Sequence, residues 1–461
     1  MPGLGGTQTT VQDLRQNETD LFEIKKVDTS LESSWTSIIR PNEPLTHKGP
    51  FTFHHEAMYN AYLDASSLRL NGSIQVLKSV NGATPVDLDS SDADKVSLTN
   101  FFVHSMIRNA SVAFNGSVIG PLSSNDYMLK AHLEKICSIS RQSAKHHCVT
   151  EGYAHDSKDG DKMNLVADGA GNAVRNKWLT ERGGKIGFCA PLHLDLCHID
   201  QYILDMLPIS ITLTLNEDNF VLITGAVDQP SNASTKYTIK LLDLYMTVRR
   251  VKFASNLKDT IEKRLLKENA QYTFTKSVVK KFHITKGQTG FIWSGAIVGK
   301  LPHHVTATFV SQDALNGKPE LNAFRFNHFK LSEMYFTFNG VEEPPGRYQL
   351  DLNGPQDGHL YLAEYGKFLD QLNTARFDTS NLIDHESWVG GAKFCLSADR
   401  SPDGCSGFHL HDDETGSMSV IGTFSEALTE NVVLVLYASS TETIAIDASR
   451  RVFVEGGLVA T

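Results

Sequence analysis

The chain has 461 residues, 41% of them apolar and 21% charged, which is too apolar for a disordered polypeptide and long enough for two or three domains. Its 43 Lys and Arg against 53 Asp and Glu leave a net charge of -10, which excludes wholesale wrapping of nucleic acid by a broad basic surface. No run of eighteen apolar residues occurs, so no membrane-spanning helix is expected, and the first twenty residues lack the basic and apolar regions of a secretory signal.

In chain order, residues 1–34 form an N-terminal arm that is polar and without apolar periodicity at least to about residue 20. Strand signals follow. Leu68–Leu77 alternates at about period two around a possible turn at Asn71-Gly72, and Ile209–Leu215 alternates cleanly. So do Tyr237–Leu241, running on into Leu244–Val248, then Val432–Tyr437 and Thr443–Asp447. Such alternation predicts antiparallel sheets with one buried and one wet face. Leu257, Ile261 and Leu265 fall at i, i+4 and i+8 and predict an amphipathic linker helix.

Two distant stretches repeat each other. Phe102-Val103-His104 and Phe114-Asn115-Gly116 correspond to Phe326-Asn327-His328 and Phe338-Asn339-Gly340, each at an offset of 224 residues. In both copies the stretch before Asn-Gly reads as strand, and Asn-Gly supplies the positive φ of a hairpin turn. A helix follows each copy. Asn125-Asp126 can cap a run carrying Leu129, Leu133 and Ile136, and Tyr361, Tyr365, Phe368 and Leu372 share a face in the second. ITLTL at 211–215 answers VVLVL at 432–436 at offset 221. The repeat is too long for a solenoid and indicates domain duplication. The fold class is therefore all-β, a tandem double jelly roll of two antiparallel β-sandwich domains with short helices in loops. The domains are 35–250 and 270–461, the second ending in a C-terminal tail, with the linker helix at 251–269 between them.

Six segments carry a family resemblance. FFVHSMIRNASVAFNG, PLHLDLCHIDQYILDMLPISITLTLNEDNF, VRRVKF, FRFNHFKLSEMYFTFNGVEEPP, LYLAEYGKFLDQLN and TENVVLVLYASSTETIAIDASRRVFVE run in order from about residue 95 to 455. Together they resemble the major capsid proteins of Polinton/Maverick elements and adintovirus-like viruses. The resemblance implies a structural protein of the virion, not an enzyme. It implies a homotrimer forming pseudo-hexameric capsomers that meet neighbouring capsomers in an icosahedral shell. Its other implied partners are a single jelly-roll penton protein and packaged double-stranded DNA. The loops at 140–190 and 397–418 depart most from that pattern.

Motifs with chemical potential point weakly elsewhere. Gly295–Leu301 is one residue short of a phosphate loop and has Leu301 where magnesium needs a hydroxyl. Cys189, His193, Cys197 and His198, with Cys137, His146, His147 and Cys148 upstream, are zinc-type donors without finger spacing. A strand would align Cys189, His193 and Cys197 on one face, where a cysteine is usually just a small apolar residue. The six cysteines are too sparse for a disulfide framework and read as free thiols, which leaves the N-x-S/T sites at Asn17, Asn71, Asn109, Asn115 and Asn232 as turn and strand sequence. His409, His411 and Glu414 suggest an alternative function, a metal-dependent bicupin enzyme, but Glu414 stands one residue too close and the second cupin element is missing. No cofactor is expected.

Positive charge gathers at the junction. Residues 248–281 carry ten Lys and Arg against three Asp and Glu, a net of +7 that leaves 33 against 50 in the remainder. Arg249, Arg250, Lys252, Lys263, Arg264 and Lys267 are therefore the candidates to face nucleic acid through its phosphates, the alternative being a solvated linker helix.

Overall fold

The computed structural model describes residues 30–45, 49–92, 95–155, 171–224, 235–350, 359–372, 380–401 and 414–454. Among them, two sets of eight strands carry the architecture. The first set is β1 (Leu31–Ile39), β2 (Phe51–His55), β3 (Tyr62–Val80), β4 (Ile107–Phe114), β5 (Ser117–Val118), β6 (Lys185–Pro191), β7 (Ile209–Leu215) and β8 (Thr235–Phe253). The second is β9 (Ala270–Ile284), β10 (Gly290–Lys300), β11 (His304–Ser311), β12 (Leu331–Phe338), β13 (Val341–Gln349), β14 (Leu396–Asp399), β15 (Thr415–Phe424) and β16 (Val432–Ile446).

The first set pairs as β1-β8-β3-β6 and β2-β7-β4-β5, the second as β9-β16-β11-β14 and β10-β15-β12-β13. Adding eight to each strand of the first set reproduces the second. All these pairs are antiparallel, and the order is that of a jelly roll, so the protein is a double jelly roll. β1 begins at Leu31, inside the stretch assigned to the arm; residues 1–29 lie outside the described residues.

The duplicated landmarks occupy equivalent places. Asn115 and Gly116 turn between β4 and β5 with φ of 50° and 82°, and Asn339 and Gly340 turn between β12 and β13 with φ of 51° and 84°. Phe102 and Phe326 both precede that hairpin, in the connections β3–β4 and β11–β12. Helices α1 (Tyr127–Ser138) and α3 (His359–Gln371) both follow it, before the sixth strand of their roll. Between the rolls runs α2 (Ser255–Leu265).

Four local expectations are corrected. The offset-221 pairing of 211–215 with 432–436 joins β7 to β16, the seventh strand of one roll to the eighth of the other, so alternation alone misplaced it. Asn71-Gly72 makes no turn; both lie in mid-β3, paired with Tyr245 and Leu244. A Cβ on Gly72 would sit 2.4 Å from the Asp243 carbonyl oxygen, at a bulge in β8, so glycine serves close backbone approach instead. Val432–Leu436 has no wet face: all five residues are 0% exposed in the interior of their sheet. Asp126 precedes α1 in the left-handed region (φ 55°) without a side-chain cap, its carboxylate accepting a 2.6 Å bond from Lys281 instead.

Two apolar cores result, one per roll, and they interlock. Met128, Leu129, Leu133 and Ile136 of α1, which leaves the first roll, pack in the core of the second. Reciprocally, Tyr272, Phe274, Ile444 and Ile446 of the second roll join the core of the first, against which α2 lays Leu257, Ile261 and Leu265.

Candidate nucleic-acid interface and the seam between the rolls

The six basic candidates sit on two consecutive elements: Arg249, Arg250 and Lys252 on β8, Lys263 and Arg264 on α2, and Lys267 just beyond it. Strand alternation separates the first three. Arg250 is 5% exposed, donates to His55 Nδ1 at 3.2 Å and packs on the Met58 sulfur. Burial, and then the Arg250 charge, push His55 down to about 4. Arg250 thus faces the interior, where no phosphate reaches it, and the expectation for that residue is corrected. Arg249 binds Asp64 at 2.6 Å and Lys252 binds Glu32 at 2.9 Å, both pairs within the first roll. Arg264 pairs with Glu268 one helical turn on. Lys263 and Lys267 are exposed and make no ion pair among the described residues.

Next to α2 lies a clamp between the rolls. Asp205, 1% exposed, accepts from Arg450 Nη2 at 2.8 Å and from the Asn60 backbone N–H at 2.7 Å, with Lys258 Nζ 3.8 Å away. Arg450, just past β16, also donates to the Asp205 carbonyl and to Glu262 of α2. Its own carbonyl accepts from Asn115, so the hairpin turn of the first roll touches the end of the second.

Deeper in the seam is a buried polar cluster that sequence reasoning missed. Lys130 and Glu134 lie one turn apart on α1, a spacing that reads as a solvated salt-bridge face. Instead the second roll covers them. Lys130, 0% exposed, donates from Nζ to Asp195 Oδ1, and Glu134 Oε1 is 3.9 Å from the same nitrogen. Glu134 also binds His193 Nδ1 at 2.7 Å and accepts from Tyr437 Oη of β16 at 3.2 Å. Asp195 Oδ2 accepts from the Ser277 N–H of β9 at 3.3 Å. Alongside, Glu151 takes His104 Nε2 and Lys135 Nζ, each at 2.9 Å.

Burial alone would raise the Glu134 and Glu151 carboxyls. Lys130 and His193 outweigh it at the first, His104 and Lys135 at the second, and both groups are held at about 2. Asp195 goes the other way: burial outweighs Lys130 and raises its carboxyl. Nothing near Lys130 in the sequence announces Asp195, 65 residues away.

The cysteine and histidine candidates disperse. Cys189 is on β6, whereas Cys197 and His198 belong to the short turn Asp195–His198, so Cys189, His193 and Cys197 do not share a strand face. Burial pushes the Cys137 and Cys197 thiols up to about 12 and Cys148 to about 11. Among the described residues no group of three His, Cys, Asp or Glu is arranged to hold a metal ion. Glu414 accepts from Arg400 and Asn339; His409 and His411 lie outside the described residues. Gly295–Leu301 runs through the end of β10 rather than into a helix.

No protein-family profile and no curated protein matches the chain. Solved structures do. A chain of the Sputnik virophage, determined by cryo-electron microscopy, superposes with a TM-score of 0.64 at 11% identity, over 95% of this chain and 92% of that one. The mavirus major capsid protein gives 0.56 at 12% identity over 99% and 96%, and the Faustovirus major capsid protein 0.55 at 8% over 96% and 95%. Across nearly its whole length, and despite so little shared sequence, the chain has the double jelly-roll fold of viral major capsid proteins.

Proposed function

We propose that this chain is a major capsid protein of the Polinton/Maverick and adintovirus-like kind. The observation that carries the reading is the full-length likeness to capsid proteins of two rolls with one strand order. Three chains would present six similar rolls, so closed three-fold symmetry gives a pseudo-hexameric capsomer able to tile an icosahedral shell of the virion. Exposed apolar residues on edge strands suit contact between subunits: Ile38 on β1, Ile292 and Val298 on β10, and Val341 on β13 are 62–73% exposed. A single jelly-roll penton protein would fill the vertices. The role is structural, without catalysis or cofactor.

In this reading α2 lies at the capsomer base and faces packaged double-stranded DNA. Lys263 and Lys267, with Arg264 beside them, would meet phosphates without reading sequence. Arg249 and Lys252 contribute through the field of the junction, and Arg250 not directly, because it is buried. The test is electron microscopy and sedimentation of the purified protein. Trimeric pseudo-hexagonal particles or shells are expected; a strictly monomeric protein at high concentration, under conditions favouring assembly, overturns the proposal.

A further inference from the structure

Lys130 and Asp195 meet where an ion pair is hard to keep. Both residues are 0% exposed, and their contact is sealed between α1 and the second roll. Removing two charges from water costs several kcal/mol each, so the pair gains by any reaction that discharges both groups. Burial already lifts the Asp195 carboxyl above its usual range. A lysine amine becomes a nucleophile once it gives up its proton, and here the Lys130 nitrogen is held against a carboxyl group that is also fixed from its other oxygen.

The surroundings supply what condensation of that pair requires. The Ser277 N–H holds Oδ2 at 3.3 Å and can stabilise the charge that develops there when the carbonyl carbon is attacked. Glu134, 3.9 Å from Lys130 Nζ, is the other carboxylate within ion-pair reach of that nitrogen among the described residues. His193 and Tyr437 fix its two oxygens.

We propose that Lys130 and Asp195 become joined by an intramolecular isopeptide bond, with Glu134 relaying the proton. Lys130 Nζ first passes one proton to Asp195 Oδ1 along their hydrogen bond, and the lone pair so freed attacks Asp195 Cγ, forming the N–C bond. Glu134 takes a proton from Nζ and gives it to Oδ1, the C–Oδ1 bond breaks, and one water leaves. Nothing is oxidised or reduced, and Glu134 returns to its carboxylate. The bond ties α1 covalently to the turn that abuts β9, closing a loop between residues 65 apart within the first roll, on its side of the seam. The site lies within one chain, so the inference is independent of the capsid proposal.

Peptide mapping of the full-length protein by mass spectrometry decides it. The expected product is a branched tryptic peptide containing Lys130 and Asp195, lighter than the sum of its arms by one water (about 18 Da) beyond any peptide bond, with no cleavage after Lys130. Lys130→Arg and Asp195→Ala should yield linear peptides, Glu134→Gln should leave most of the chain unlinked, and Asp195→Asn should link with loss of one ammonia (about 17 Da). Folded wild-type protein that is cleaved after Lys130 and gives only linear peptides overturns the proposal, and that result needs no variant to fold. Linkage in Glu134→Gln at the wild-type rate overturns the assigned role of Glu134.

Discussion

Replacing Asp205 with alanine should loosen the joint between the rolls. The carboxylate holds Arg450 at 2.8 Å and the Asn60 N–H at 2.7 Å, with Lys258 at 3.8 Å, and the side chains of Arg450 and Lys258 are only 12% and 7% exposed. Its loss strands a buried donor and leaves two shielded cations without their shared counter-charge. Removing one partner of a buried pair costs about 3–5 kcal/mol. Arg450 keeps Glu262 and the Asp205 carbonyl, which places the expectation at the lower end, about 3 kcal/mol. Because the two rolls need not unfold together, the assay is native-state hydrogen exchange at α2, where that loss reads as about a hundredfold drop in protection. Asp205→Asn keeps an acceptor for Asn60 and should lose about 1–2 kcal/mol. In a double-mutant cycle with Arg450→Met, the coupling should be about 2 kcal/mol. A protection change under about threefold in Asp205→Ala, or coupling below about 0.5 kcal/mol, refutes the clamp.

Gly72→Val should destabilise the first roll by about 2–3 kcal/mol in denaturant melts, because its Cβ would meet the Asp243 carbonyl at 2.4 Å; a neutral result would mean the bulge in β8 yields freely. His132 is stacked 4.6 Å from Phe324, and burial, then the charges of Lys393 and His104, depress it to about 3. The unfolded chain therefore binds a proton that the folded chain refuses between pH 6.5 and about 3, and stability falls as pH falls through that window. His132→Phe should flatten the pH dependence of melting there by up to about 1.4 kcal/mol per pH unit, and an unchanged slope would refute the assignment. Lys263→Gln with Lys267→Gln should leave the assembly state intact and lower the salt slope of DNA binding by about 2, measured by fluorescence titration at several salt concentrations; an unchanged slope would remove these residues from the interface.

Much of this molecule was legible in local patterns. Ile209–Leu215 buries Ile209, Ile211 and Leu213 as its alternation requires, and Leu257, Ile261 and Leu265 mark the inner face of α2. Asn115-Gly116 and Asn339-Gly340 revealed the duplication, because few residue pairs accept two successive positive φ angles and hairpins demand them. Each of these features depends on a few neighbouring residues. Asn71-Gly72 has the same letters, yet long-range pairing of β3 with β8 outweighed its turn preference, and no local pattern contains that partner. Val432–Leu436 likewise could not disclose that its sheet would be covered on both faces.

Arg250 and Lys130 depended most on the folded chain. The first belongs to a basic run and the second to a charged helical pair, and both ended inside the protein. Charge and periodicity report which residues prefer water on average, whereas burial of a particular cation requires partners delivered from elsewhere. For Lys130 those partners are Asp195, 65 residues on, and Glu134, itself held by Tyr437, 303 residues further along. Strands, turns and helices follow from interactions between near neighbours and can be read in order along the chain; the seam exists only where two rolls close over the same helix.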